Sequence, residues 1–89
     1  MTVRRAPLSA LIGGDRAATL AIVAEAGSST TIVAERVGIS VPAASRHVGA
    51  LRDAGLVTGV RRGPHVLHTV TPLGAELLSA GSEDRRRSD

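Results

Sequence analysis

The side chains best suited to recognition chemistry lie in the stretch from Gly38 to Gly55, GISVPAASRHVGALRDAG. At about 100° per residue, one face of a helix there carries Pro42, Ser45, Arg46, Gly49 and Asp53. The guanidinium of Arg46 can donate two hydrogen bonds to a guanine edge or bind a phosphate. The short side chains around it allow the helix backbone to approach another surface closely. This pattern favours a helix that enters the major groove of DNA.

Other residues around this helix are predicted to contact the same partner. Arg61 and Arg62 would bind phosphate or the minor groove, and the N–H groups at Thr30 and Thr31 open a helix that could bind a phosphate. The complete set of candidate DNA-binding residues is Thr30, Thr31, Ser40, Val41, Pro42, Ala43, Ser45, Arg46, His47, Gly49, Arg52, Arg61 and Arg62.

Each candidate also has a purely structural interpretation. Arg46 and Ser45 could be solvated surface residues, and the Arg61-Arg62 pair could simply make a turn soluble. His47 is expected either to pack or to contact phosphate. Arg52 and Arg36 fit surface ion pairs or backbone contacts better than base readout, and Thr30 and Thr31 fit ordinary helix capping as well as phosphate binding.

The distribution of charge supports a polyanionic partner. The 89-residue chain has a formal net charge of +3, and all eleven of its basic residues are arginine. The segment 36–62 holds five of these arginines and a single acidic residue, Asp53. An arginine-rich chain without lysine also fits a GC-rich genome, but positive charge concentrated around one helix is typical of a phosphate-binding face.

The composition restricts the class of protein. The chain contains no cysteine and no aromatic residue, so a thiolate metal site, a disulfide and a redox role are excluded. A core of Leu, Val, Ile and Ala in so short a domain makes dimerisation an expected source of stability. No apolar run is long enough to span a membrane and no secretory signal is present, so we expect a soluble, cytoplasmic protein.

No group of residues has the spacing of a catalytic or metal site. There is no glycine-rich phosphate loop and no histidine paired with a carboxylate at a recognisable spacing, so we expect no enzymatic activity and no cofactor. His65 and His68 are three residues apart on a predicted strand and would point to opposite faces, with His65 exposed and His68 half-buried. No metal site is predicted, although a metal effector bound across a dimer stays open.

The elements that position these residues can be predicted from local signals. Ser40 caps the helix 41–54, Pro42 lies in its first turn, and Gly55 ends it. Its apolar face is Ala44, Val48 and Leu51. The preceding helix, 30–37, ends at Gly38, so the two helices form a helix-turn-helix with Ile39 as the apolar residue of the turn.

The rest of the chain supports this pair of helices. Short helices are predicted at 8–12 and 15–26, the second capped by Asp15 and buried at the centre of a bundle. Two strands enclose the turn Gly63-Pro64 in a hairpin over 57–71, and a last helix follows over 72–80. Residues 82–89 carry no apolar side chain and are expected to be disordered, and residues 1–7 to form a frayed arm. The predicted fold is mainly α with a small β-hairpin, a winged helix-turn-helix over residues 1–81.

These segments resemble the winged helix-turn-helix of the ArsR-like bacterial repressors over about Asp15–Leu78. The resemblance is carried by VAERVGIS, SRHVGALRDAGLV, the RRG hairpin tip and LHTVTPLG. It implies a homodimeric transcription factor whose first and last helices form the dimer interface. Here those helices would contribute Leu8, Leu11, Ile12, Leu73, Leu77 and Leu78.

The chain departs from the ArsR-like pattern in two respects. Metal-sensing members use cysteines in the helix-turn-helix or His and carboxylate ligands on the last helix, where this chain has only Glu76. Members also often have polar side chains where Val41, Pro42 and Ala43 stand, which leaves Ser45 and Arg46 as the main polar readers.

The residues and the resemblance together predict a function. We expect a sequence-specific DNA-binding repressor, homodimeric, that binds an imperfect palindrome in bacterial cytoplasm at the nucleoid and has no membrane partner. The first alternative is a winged-helix protein-interaction or dimerisation module with little DNA specificity, favoured by the apolar Ile32 at a position expected to be polar. The second is a metal-responsive repressor with non-cysteine ligands.

Overall fold

The computed structural model describes residues 8–87, with side chains described from residue 8 to residue 80. The predicted arm 1–7 and residues 88–89 lie outside this range. The elements follow in the order α1 (Leu8–Ile12), α2 (Gly14–Glu25), α3 (Thr30–Val37), α4 (Val41–Asp53), β1 (Val57–Arg62), β2 (His65–Val70) and α5 (Pro72–Arg87). The predicted fold class, helices with one small hairpin, is confirmed.

Helix α2 is the centre of the structure, as its nearly continuous apolar sequence predicts. It packs against α1, α3, α4, α5 and β2. Leu20 and Val23 are fully buried in the core, together with Val33 of α3 and Leu51 of α4. Because α3 and α4 share this support, their relative position is fixed by burial of apolar surface.

The helix-turn-helix forms where capping signals predict it. The Ser29 hydroxyl accepts a hydrogen bond from the Ile32 N–H at the start of α3. Gly38 ends that helix with φ of 82°, a conformation that costs a glycine little. Ile39 in the turn packs against the core, and Ser40 caps α4 through the Ala43 N–H.

The start of α2 differs from the prediction. Asp15 is not the N-cap, because Gly13, with φ of 93°, occupies that position and its carbonyl accepts the first helical hydrogen bond from Ala17. The helix therefore begins at Gly14, and Asp15 lies in the first turn. There its carboxylate still faces the positive end of the helix dipole.

Strands β1 and β2 form the predicted antiparallel hairpin, with Val57 opposite Val70 and Arg62 opposite His65. Gly63 makes the turn with φ of 59°. The loop before α3 joins the hairpin, because the backbone of Ser28 exchanges two hydrogen bonds with His68 of β2. This bridge ties the hairpin to the helix-turn-helix.

Helix α5 begins as predicted and ends later. The Thr71 hydroxyl accepts a hydrogen bond from the Gly74 N–H and donates one to the Gly55 carbonyl, so the cap also fastens α5 to the end of α4. The helix continues past the predicted end at Ala80 to Arg87, into the segment expected to be disordered. Adding residues to an existing helix requires no new nucleation, so a polar run can extend it.

Within the described residues no helix has the length and apolar character needed to cross a bilayer.

Candidate nucleic-acid interface

Helix α4 has one buried face and one exposed face, in the predicted arrangement. Ala44, Val48 and Leu51 are almost completely buried against the core. On the other side Pro42, Ser45 and Arg46 are exposed. The face that could bind a partner is therefore free in the chain and is held by a rigid support.

The start of α4 uses most of its N–H groups internally. The Ala43 N–H donates to the Ser40 hydroxyl over 3.2 Å, and the Ala44 N–H donates to the Ser40 carbonyl over 2.9 Å. Pro42 has no N–H to offer. The predicted contact of Ser40 is thus a capping role in the chain, and this turn presents few donors to an anion.

Arg16 is a residue of this surface that the sequence analysis missed. Its Nε donates a long hydrogen bond of 3.4 Å to Nδ1 of His47, which connects α2 to α4. Both side chains are half-buried. Because Nδ1 accepts this hydrogen bond, Nε2 is the ring nitrogen that can donate an N–H to a phosphate. No local pattern could have found it, since the residues are 31 positions apart.

The hairpin places two cations at its tip. Arg61 and Arg62 are the last residues of β1, and both side chains are exposed. Successive side chains of a strand point to opposite faces, so the two guanidinium groups leave the hairpin on different sides.

The two threonines at the start of α3, Thr30 and Thr31, have different surroundings. Thr31 is exposed, whereas the Thr30 hydroxyl lies 2.9 Å from Nε2 of His68. Capping by Ser29 takes the N–H groups of Ile32 and Val33. The Thr30 side chain therefore has a partner inside the chain, and its backbone N–H is not used by the Ser29 cap, so the backbone is the better candidate for the predicted phosphate contact.

His68 is more deeply buried than the half-buried state predicted. Only 5% of the residue is exposed, and Nδ1 is buried without a hydrogen-bond partner in the described part of the chain. Burial lowers the pKa of His68 from its usual value, and the positive charge of Arg52 lowers it further. The ring is held neutral under the hairpin, while His65 is exposed as predicted.

The remaining arginines of the helix-turn-helix have different surroundings. Arg36 forms an exposed ion pair with Glu25, with 2.9 Å between Nη1 and Oε1, so it serves as the predicted surface pair. Arg52 is exposed near the base of the hairpin and lies close enough to His68 to act on its pKa. Among the described residues no cluster of three or more His or acidic side chains could hold a metal ion.

The six residues predicted for a dimer interface fall into two groups. Leu11 and Leu73 are 66% and 55% exposed. Leu8 is a buried member of the core, and the others pack against that core as partly buried residues, namely Ile12, Leu77 and Leu78. Within one chain the four residues of this second group already pack against other side chains. Leu11 of α1 and Leu73 of α5 remain uncovered.

Comparison with known proteins agrees with this geometry. Residues 20–58, which contain the second half of α2, the helix-turn-helix and the start of β1, match the family model described as winged helix-turn-helix DNA-binding. Outside this segment, the hairpin and α5 complete the same architecture.

The fold is a winged helix-turn-helix.

Solved structures share this fold over most of the chain. The Staphylococcus aureus MepR–DNA complex superposes with a TM-score of 0.80 at 14% identity, covering 90% of this chain and 71% of that one. RV1404 from Mycobacterium tuberculosis superposes with a TM-score of 0.79 at 22% identity, covering 83% of this chain and 53% of that one. The transcriptional regulator BldR from Sulfolobus solfataricus superposes with a TM-score of 0.73 at 25% identity, covering 82% of this chain and 55% of that one.

This winged helix-turn-helix spans about half the length of several structures that it matches, 52% for a Lactococcus lactis ZitR mutant. No curated protein sequence matches the chain. At these identities the structural likeness concerns the fold, so the activity of the chain has to be argued from its own surface.

Proposed function

We propose that this chain is a DNA-binding transcriptional regulator in which α4 enters the major groove. The observation that carries the proposal is the exposure of Pro42, Ser45 and Arg46 on one face of a helix whose other face is fixed in the core. A protruding helix of 13 residues is about 20 Å long and fits the groove. The matched family model and the MepR–DNA complex support the same partner.

Affinity and specificity would come from different residues. Phosphate contacts by Arg61, Arg62 and the N-terminal N–H groups of α3 would supply most of the binding free energy. Arg46 and Ser45 would make the polar contacts with base edges. His47 and Arg52 lie beside this face and would contact the backbone of the same duplex.

We further propose that the regulator is a homodimeric, ArsR-like repressor. The exposed Leu11 and Leu73 support a dimer through α1 and α5, because the resemblance to the ArsR-like repressors implies an interface made by these two helices. Two recognition helices related by a two-fold axis would be about 34 Å apart, so the operator would be an imperfect palindrome. Such a regulator would act in the cytoplasm at the bacterial nucleoid and would need no membrane partner.

A salt titration of DNA binding tests the proposal. Fluorescence anisotropy with a random-sequence duplex would be measured across about 50–200 mM salt. We expect the logarithm of the association constant to fall linearly with the logarithm of the salt concentration, because bound arginines release counterions. Absent binding, or an affinity that salt does not change, would contradict the proposal.

A second candidate function is a protein-interaction module with little DNA specificity. It is favoured by Ile32 and Val41, which are 44% and 46% exposed on the helix-turn-helix. The same titration discriminates between the two, because apolar docking on a protein would leave DNA binding weak or absent. A metal-responsive repressor, the third possibility, would show heat exchange with zinc or nickel in calorimetry.

A further inference from the structure

We propose that the first turn of α4 recognises the methyl group of a thymine in the major groove, through Val41 and Pro42. The inference rests on the proposed function, since it assumes that the exposed face of α4 meets DNA. The proposed thymine contact would add one specific base to those read by Ser45 and Arg46. It lies at a turn that has no polar side chain directed at a partner.

The exposure of this turn is the first argument. Val41 is 46% exposed and Pro42 is exposed, although both begin a helix whose later apolar residues are buried. The other large exposed apolar residues of the described chain lie on the hairpin, on α1 and α5, or at Ile32 of the adjacent α3. These two side chains can therefore contact an apolar group of the partner, next to the polar contacts proposed for Ser45 and Arg46.

The hydrogen bonds of the turn are the second argument. Ser40 takes the N–H groups of Ala43 and Ala44, and Pro42 has none. A phosphate would therefore find few donors here, in contrast to the tip of the hairpin with Arg61 and Arg62. The start of α4 is suited to contact with carbon atoms of the groove and poorly suited to contact with the DNA backbone.

The chemistry of the groove then identifies the contacted group. Thymine presents a C5 methyl in the major groove, and it is the one apolar group among the donor and acceptor atoms of the base edges. Val41 and Pro42 present only carbon atoms in their side chains, so a thymine methyl is the feature that they can distinguish.

The spacing along the helix gives the position of that thymine. Pro42 and Arg46 are one turn apart on the same face, a rise of about 6 Å. Base pairs follow one another at about 3.4 Å. If Arg46 binds a guanine, the thymine should lie about two base pairs away from it in each half-site.

Replacement of thymine by deoxyuridine tests the inference, because it removes only the methyl group. Duplexes selected by the purified protein from a random library would be remade with deoxyuridine at single positions. For wild-type protein we expect affinity to fall about fourfold per half-site at one thymine, the effect of losing one buried methyl group. The salt dependence of binding should not change.

Variants assign the effect to the proposed side chains. In the double variant Val41→Ala/Pro42→Ala, the thymine and deoxyuridine duplexes should bind equally. Val60→Ala removes the same two methyl groups from a 38% exposed valine on the hairpin and should retain the fourfold difference. Val41→Ala alone serves as a second variant that leaves the proline in place.

The outcomes separate this inference from the proposed function. Salt-dependent binding without any deoxyuridine effect, or an effect that persists in the double variant, would overturn thymine recognition and leave the DNA-binding function intact. Absence of salt-dependent binding in the wild type would overturn both.

Discussion

The Thr30 hydroxyl and Nε2 of His68 lie 2.9 Å apart, which joins the first residue of α3 to the second strand of the hairpin. Beside this contact, the backbone of Ser28 exchanges two hydrogen bonds with that of His68. The two contacts fix the hairpin relative to the helix-turn-helix. A ligand that touches both α4 and the hairpin tip would therefore meet a preorganised surface.

The buried ring of His68 predicts that the protein is less stable in acid. Burial, and then the charge of Arg52, lower its pKa, so below about pH 6.5 the unfolded chain binds more protons than the folded chain. The free energy of unfolding should be constant above that pH with respect to this group. It should decrease as the pH falls from there through the pKa of the folded state.

Urea denaturation at several pH values measures this dependence. His68→Gln should flatten the dependence, even though the variant itself is less stable. The matched control is His65→Gln, on the same strand but exposed, which should retain the wild-type profile. A flat profile in the wild type, or one removed by the His65 variant alone, would show that His68 does not couple folding to pH.

Gly49 predicts opposite effects on stability and on DNA binding. An added Cβ at Gly49 would meet no atom within 4 Å, and alanine is favoured over glycine inside a helix by about 1 kcal/mol. Gly49→Ala should therefore raise the free energy of unfolding in urea. Because Gly49 lies one turn beyond Ser45 and Arg46, the added methyl should hinder close approach of α4 and weaken binding to a selected duplex. Unchanged or tighter binding would argue against close contact at this residue.

The hairpin tip should control the salt dependence of binding. Replacing Arg61 and Arg62 by glutamine should reduce the slope of log affinity against log salt by about 2 if each binds one phosphate. The loss should be similar on selected and random duplexes. Arg36→Gln is the control, because that guanidinium is paired with Glu25 at 2.9 Å. If Arg36→Gln changed the slope by the same amount, the effect would come from the net charge of the protein, and the hairpin tip would not contact phosphate.

The exposed leucines of α1 and α5 should hold the dimer together. Leu11→Lys/Leu73→Lys places charge on two side chains that the fold leaves uncovered, so the chain should stay folded and sediment as a monomer. The control is Val66→Lys, at a 39% exposed residue of β2, which should still sediment with the mass of a dimer. A wild-type monomer in analytical ultracentrifugation, or a dimer that survives the double substitution, would exclude this interface.

The features that the sequence predicts well are those encoded by neighbouring residues. Ser40 as a cap and Gly38 as a stop depend on side chains within a few positions, and both ends of the helix-turn-helix are where these signals place them. The buried face of α4 follows from the spacing of Ala44, Val48 and Leu51. Local signals failed at Gly13, where an acidic residue two positions later offered a plausible alternative cap.

The features that the sequence did not predict depend on distant contacts. The bridge between Ser28 and β2, the Arg16–His47 hydrogen bond and the Thr30–His68 pair each join segments at least 31 positions apart. No periodicity records which side chains meet across a core. The extension of α5 to Arg87 was missed for a different reason, since a polar composition alone does not reveal whether a preceding helix continues.

Replacement of Arg46 by alanine tests most directly whether α4 reads bases. Binding of wild type and Arg46→Ala would be compared on a selected duplex and on random DNA at one salt concentration. A base-reading Arg46 predicts a loss of about 1–3 kcal/mol on the selected duplex and little change on random DNA. An equal loss on both would show that Arg46 binds only phosphate, and no loss on either would contradict the placement of this face in the groove.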